Sequence, residues 1–125
     1  MSEEGKPSRP IRSYRDLDVW RDGVDLVRDI YRLTQDWPRA EQFGLTAQIR
    51  RAAVSVPSNI AEGRGRHKRG EFDQFLRYAR GSLFEVETQL VIAAEIGLAT
   101  PGTIAPPLER LDVLSRRITA LRRTL

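Results

Sequence analysis

Between Lys68 and Ile96, Phe72, Leu76, Ala79, Leu83, Val86, Leu90, Ala93 and then Gly97 alternate spacings of four and three without a miss. Residues three and four apart share one side of an α-helix, so the spacing predicts a long helix with a bundle-type seam. Gly97 is a natural stop for it. Gly81, in its middle, costs about 1 kcal/mol against alanine. The expected compensation is close approach of a neighbouring helix backbone.

Three further helices follow from the same pattern. The first opens near Asp16 or Asp18, where acids suit the positive helix end. Trp20, Val24, Val27, Tyr31 and Thr34 form its stripe, widened by Val19, Leu26, Ile30 and Leu33, and Trp37-Pro38 ends it. The second runs from Leu45 with Ile49, Ala52, Ala53, Val56 and Ile60 inward. Pro57 lies within it, which predicts a kinked but continuous helix ending at Gly63 to Gly65. Thr100 to Pro107 reads as a turn, with Pro106 or Pro107 in the first helical position. Leu111, Leu114, Ile118, Leu121 and Leu125 make a last seam. The predicted fold is all-α: an up-down antiparallel four-helix bundle over 16–125, with helices at about 17–36, 45–63, 68–97 and 106–125. Residues 1–15, polar and carrying Gly5, Pro7 and Pro10, read as a flexible N-terminal arm.

Composition removes several classes. No apolar run reaches the roughly 20 residues that span a bilayer, and the N-terminus lacks a signal-peptide core. The expected location is therefore cytoplasmic, with no membrane contact. There is no cysteine and one histidine, His67, which leaves no thiolate or His-rich metal site and no di-iron bundle centre. No cofactor is expected.

Charge restores a functional question. Of the 21 basic residues only Lys6 and Lys68 are lysine. Ala47 to Gly81 carries eight bases, namely Arg50, Arg51, Arg64, Arg66, Lys68, Arg69, Arg77 and Arg80, against Glu62, Glu71 and Asp73. Leu17 to Asp36 and Ser82 to Thr100 are net acidic. Such polarity suits an anionic partner, or a like subunit presenting the opposite sign. The eight bases are the candidate nucleic-acid-binding set, because arginine grips phosphate bidentately. The competing expectation is a solvated face whose cations pair with the acids of the first helix.

Catalytic chemistry finds no footing. Glu85 and Glu87 point about 200° apart on one helix. Ser55, Ser58 and Ser82 have no base except His67 and no nucleophile elbow. His67 itself reads as a solvated loop residue. Arg64-Gly65-Arg66 lacks the spacing and the Lys-Ser/Thr pair of a Walker loop. The protein is therefore expected not to be an enzyme. Ser58 and Asn59 read either as satisfying carbonyls freed by Pro57 or as polar contacts across helices or subunits.

Three blocks carry a family resemblance: Asp16-Leu17-Asp18-Val19-Trp20; Gln48 through Gly63 with Val56-Pro57-Ser58-Asn59-Ile60; and Phe75-Leu76 through Arg80-Gly81-Ser82 to Gln89-Leu90. Together they resemble the four-helix-bundle proteins of the intervening sequences of bacterial 23S rRNA genes, over about residues 14 to 125. The resemblance implies a bacterial homopentamer. A similar fold, that of the accessory protein of diversity-generating retroelements, binds nucleic acid and a reverse transcriptase. The family pattern marks Arg50, Arg51, Pro57, Ser58, Asn59, Glu62, Gly63, Arg80, Gly81, Glu85 and Gln89 here, and no catalytic set. Gly23 and the Pro106-Pro107 pair depart from that pattern. The combined expectation is a non-enzymatic homo-oligomer binding RNA or DNA phosphates through arginines of helices two and three. The alternative is an interaction scaffold in which Glu62, Glu85, Glu87 and the arginines serve subunit or partner contacts.

Overall fold

A computed structural model describes residues 10–125, and the first nine residues of the expected arm lie outside it. Four α-helices follow one another: α1 Asp18–Thr34, α2 Leu45–Gly65, α3 Arg69–Glu95 and α4 Pro101–Arg122. Two 3-10 turns, Tyr14–Asp16 and Arg39–Glu41, precede α1 and α2, and there is no strand among the described residues. α2 packs on α1 and α3, and α4 packs on the same two helices. α1 and α3 make no close backbone approach, nor do α2 and α4. This adjacency is consistent with a bundle of sequential neighbours.

The α3 seam is buried from Phe72 to Ala93. Gly97, at φ +83, follows the helix end. Its N–H donates to the Ala94 carbonyl and that of Leu98 to Ala93, which closes α3 with a Schellman turn. α2 is unbroken across Pro57, with Ile49, Ala52, Ala53, Val56 and Ile60 in the core.

Several expectations change. The buried line of α1 is Val19, Gly23, Leu26, Ile30 and Thr34, while Val24 and Tyr31 are exposed. Gly23 lies close against α2: a Cβ there would stand 3.3 Å from the Cβ and Cδ of Pro57. The two residues that look worst for their helices pack against each other, while Trp20, Val27 and Leu33 stay partly buried against the core.

α4 starts five residues before Pro106. Thr100 accepts from the Thr103 N–H at 3.1 Å, the Thr103 hydroxyl accepts from the Thr100 N–H at 3.0 Å, and Pro101 takes the first helical position. Pro106 and Pro107 sit inside the helix, and burial of Ile104 and Pro107 rewards the extra turn.

Gly81 is exposed, and nothing lies within 4 Å of where its Cβ would be. The close approach expected there occurs instead at Gly63, whose Cβ would meet Phe75 Cβ at 2.6 Å. At its N-terminal side the chain is tied down before α1. Asp16 accepts from the Arg12 N–H, and Tyr14 meets Trp20 edge-on at 5.2 Å.

Candidate nucleic-acid interface

The expected pairing of the basic segment with the acids of α1 does not occur. Those acids turn to α4: Asp29 accepts from Arg110 at 2.5 Å, Asp25 lies 3.6 Å from Arg110, and Asp22 accepts from Arg117. Asp18 and Asp25 also pair within α1, with Arg21 and Arg28. Arg122 of α4 donates to Asp73 of α3 at 2.8 Å. That hydrogen bond holds the Asp73 carboxyl below its usual pKa.

The eight candidate bases separate into three groups. Arg66 and Arg77 are engaged close by. Arg66 binds Glu62 at 2.8 Å and Glu71 at 3.5 Å, and the Glu62 bond raises its pKa further. Arg77 pairs with Asp73 and hydrogen-bonds Gln74. Arg80 lies over Phe84 with its Nε buried and unbonded.

The second group surrounds the α2–α3 corner. Arg64, His67, Lys68 and Arg69 line a hollow of about 230 Å³ with Gly63 and Phe72. The corner is tight because α2 runs to Gly65 and α3 begins at Arg69. His67, at φ 59, makes the turn in the left-handed region that glycine more readily adopts. Lys68 precedes α3 without a side-chain cap, so the amides of the first turn and the positive helix end face outward. Arg64 donates to the Ile11 carbonyl at 3.3 Å, a bond that leaves its charge uncompensated. Lys68 has Glu71 at 3.8 Å, and Arg69 has no ion pair among the described residues.

The third group is Arg50 and Arg51 near the start of α2. Arg50 turns toward α1, donating its Nε to Thr34 Oγ1 at 2.8 Å and stacking 4.3 Å over the Tyr31 ring. Arg51 is exposed, with no hydrogen bond or ion pair among the described residues.

The polar residues of the α2–α3 face have structural partners. Pro57 frees the Ala53 carbonyl, but the side chains bond elsewhere. Ser55 donates its hydroxyl proton to the Ala52 carbonyl at 2.7 Å, which leaves its oxygen to accept from the Ser82 hydroxyl across the helices at 2.5 Å, and Asn59 donates to the Ser55 carbonyl at 2.8 Å. Ser58 is exposed and makes no side-chain hydrogen bond among the described residues. The expectation that Ser58 and Asn59 satisfy the freed carbonyl therefore fails; Ser55 supplies the contact across helices. Glu85 lines the α2–α3 groove with Arg51, and Gln89 Oε1 is buried there without a partner.

One aromatic feature has no counterpart in the sequence reading. Phe43, in the connector before α2, is 89% exposed. The available signal was an aromatic in a polar connector seven residues before an Arg-Arg pair. Among the described residues no group of His, Asp or Glu is arranged to hold a metal, and no helix is long and apolar enough to cross a membrane.

Fold and surface define a class: a small all-helical bundle whose distinctive chemistry is cationic and aromatic. The 23S rRNA-intervening sequence protein family matches residues 15–120, and the chain belongs to that family. Comparison with curated proteins gives no significant match.

Proposed function

We propose that the protein is a non-enzymatic, self-associating cytoplasmic bundle that binds RNA or DNA through phosphates, with the α2–α3 corner as a principal contact. The observation that carries this reading is the corner hollow, where Arg64, Lys68 and Arg69 meet the uncapped start of α3. Helix N-termini and clustered guanidinium groups both favour phosphate. The test is fluorescence anisotropy with a labelled oligonucleotide over a salt series. Binding should weaken steeply with salt, and a triple Arg64→Ala, Lys68→Ala, Arg69→Ala variant should show a shallower salt slope by about two to three. No binding at low salt by an intact assembly, or an unchanged slope in the triple variant, refutes the reading.

A second reading, the interaction scaffold, draws on α3. Tyr78, Phe84, Val91, Ile92 and Ile96 are exposed along its outer side, with Gly81 and the unpaired Glu85 and Glu87 among them. Such a face suits a second copy of the chain, and the family resemblance sets the expected assembly at five copies. Charge reversal at Arg77 or Arg80 should split the assembly if these charges serve subunit contacts, and only weaken nucleic-acid binding otherwise. Light scattering on the variants distinguishes the two outcomes.

A further inference from the structure

A second hollow, of about 490 Å³, lies where the end of α1 meets the start of α2. Tyr31, Phe43, Thr46, Arg50, Arg51 and Val54 line it. Its features are unusual in combination. Arg50 is fixed by Thr34 and by the Tyr31 ring, yet its terminal Nη1 and Nη2 make no hydrogen bond among the described residues. A guanidinium held in this way has already lost its freedom and presents an open fork and a flat face. Arg51 adds a second uncompensated charge. Thr46 is 8% exposed, and its hydroxyl has no hydrogen-bond partner among the described residues. A buried unmade hydrogen bond is costly and calls for an explanation.

Phe43 completes the site. One exposed aromatic is ordinary on a protein surface. This one is held on an ordered turn, however. The Gly44 N–H donates to the Glu41 carbonyl at 2.9 Å, and the Leu45 N–H donates to Glu41 Oε1 at 3.1 Å. The ring is thus presented beside a cationic hollow and not left on a loose loop. The hollow also continues along the α1–α2 groove. Val54 lines both it and the next hollow, which holds Tyr14, Trp20, Pro57 and Ser58. Arg64 stands at the far end of that line, fourteen residues after Arg50.

We infer that this hollow takes an unstacked base of single-stranded nucleic acid, with the adjoining phosphate on Arg50 and Arg51. The base finds π-surfaces in Phe43 and in the Arg50–Tyr31 stack. Aromatic and guanidinium planes beside a basic track are how single strands are held without strong sequence preference. A duplex offers no free base face and meets only the charges. The inference rests on the nucleic-acid reading above and adds to it the strandedness of the partner and the place of the base.

The experiment compares a 12-nucleotide single strand with a duplex of the same sequence, using wild type, Phe43→Ala and Arg51→Ala. Circular dichroism and light scattering confirm fold and assembly. Phe43→Ala should weaken single-strand binding about five- to a hundred-fold with an unchanged salt slope, and leave duplex binding within about two-fold. Arg51→Ala should weaken both and lower the single-strand slope by about 0.7. A 2-aminopurine placed in the strand should be quenched by wild type and not by Phe43→Ala. Full single-strand affinity in Phe43→Ala, with the corner triple variant still defective, overturns the base site and leaves phosphate binding standing. Dissociation of the assembly by Phe43→Ala, with binding retained, identifies the ring as a subunit contact and likewise overturns the site. No binding of either nucleic acid by wild type overturns both readings.

Discussion

Gly63→Ala should destabilise the protein although alanine is the better helix former. Gly63 lies in the last turns of α2, buried, and a Cβ there would stand 2.6 Å from Phe75 Cβ, 3.2 Å from Phe72 Cδ1 and 3.4 Å from Phe75 Cγ. Rotating the phenylalanine does not help, because its Cβ is fixed to the α3 backbone. Ordinary contact begins near 3.4 Å, so α2 and α3 must part locally by roughly 0.8 Å. Overpacking of this kind costs about 1–3 kcal/mol. The gain in helix propensity offsets about 0.5–1 kcal/mol of that. The net loss is then up to about 2.5 kcal/mol, with about 1 kcal/mol at mid-range, and each kcal/mol lowers Tm by about 4 °C for a chain of this size. Gly81→Ala is the internal control. It has the same chemistry, mid-helix, with nothing within 4 Å, and should raise Tm by about 2–4 °C. Thermal unfolding followed by circular dichroism, at one fixed protomer concentration, reads both. An unchanged or raised Tm for Gly63→Ala refutes the close approach. A lowered Tm for Gly81→Ala means that another chain covers α3 at that point.

Three smaller perturbations test other joints. His67→Gly should stabilise by about 1 kcal/mol, because the residue sits at φ 59, where a Cβ is unfavourable; denaturant midpoints at constant m-value measure it. Thr100→Ala removes the side chain that accepts from the Thr103 N–H and should cost about 1 kcal/mol, with faster amide exchange in the first turn of α4. Asp73 has a folded pKa below its unfolded value of about 3.9, owing chiefly to the Arg122 hydrogen bond. Its contribution is therefore complete above about pH 4 and lost as the pH falls through the depressed value. In Asp73→Asn the decline of Tm between pH 5 and pH 2 should be shallower than in wild type; identical slopes would count against that linkage.

Helix phase explains which parts of this fold were legible. The α3 seam could be read because every member obeys one spacing, and packing in a bundle selects for nothing else. Gly81 was misread by type and not by position. It lies two residues from both Ala79 and Leu83, on the side of α3 away from the seam, whereas Gly63 follows Ile60 by three and Val56 by seven and is in phase with them. α1 was harder, since Gly23 contributes no hydrophobicity and yet is central to the buried line. The start of α4 was hidden because prolines mark first turns more often than interiors, while the Thr100–Thr103 box is a weaker pattern than Ser-x-x-Glu. Which acid meets which arginine depends on helix adjacency. No local pattern in the sequence announces that α1 gives its carboxylates to α4. Among the candidate bases, only geometry separates Arg66, tied to two glutamates, from Arg69, tied to none.

That adjacency also explains why the basic surplus of α2 and the corner remains available. Asp22, Asp25 and Asp29 are engaged with α4, and Asp73 with Arg122, so the nearest strong acids are committed to holding the helices together. The cations left over lie toward the two ends of α2. Arg50 and Arg64 are fourteen residues apart, about 21 Å along a helix, and differ by only about 40° in phase. At roughly 3.4 Å per stacked nucleotide this corresponds to at most about six phosphates, and to fewer where a base is unstacked. A strand long enough to reach both ends gains two sets of contacts for one loss of translational freedom, and a shorter one does not. Affinity should therefore rise steeply between about four and eight nucleotides and only slowly beyond. A smooth dependence on length would mean that the two cationic ends act on separate strands.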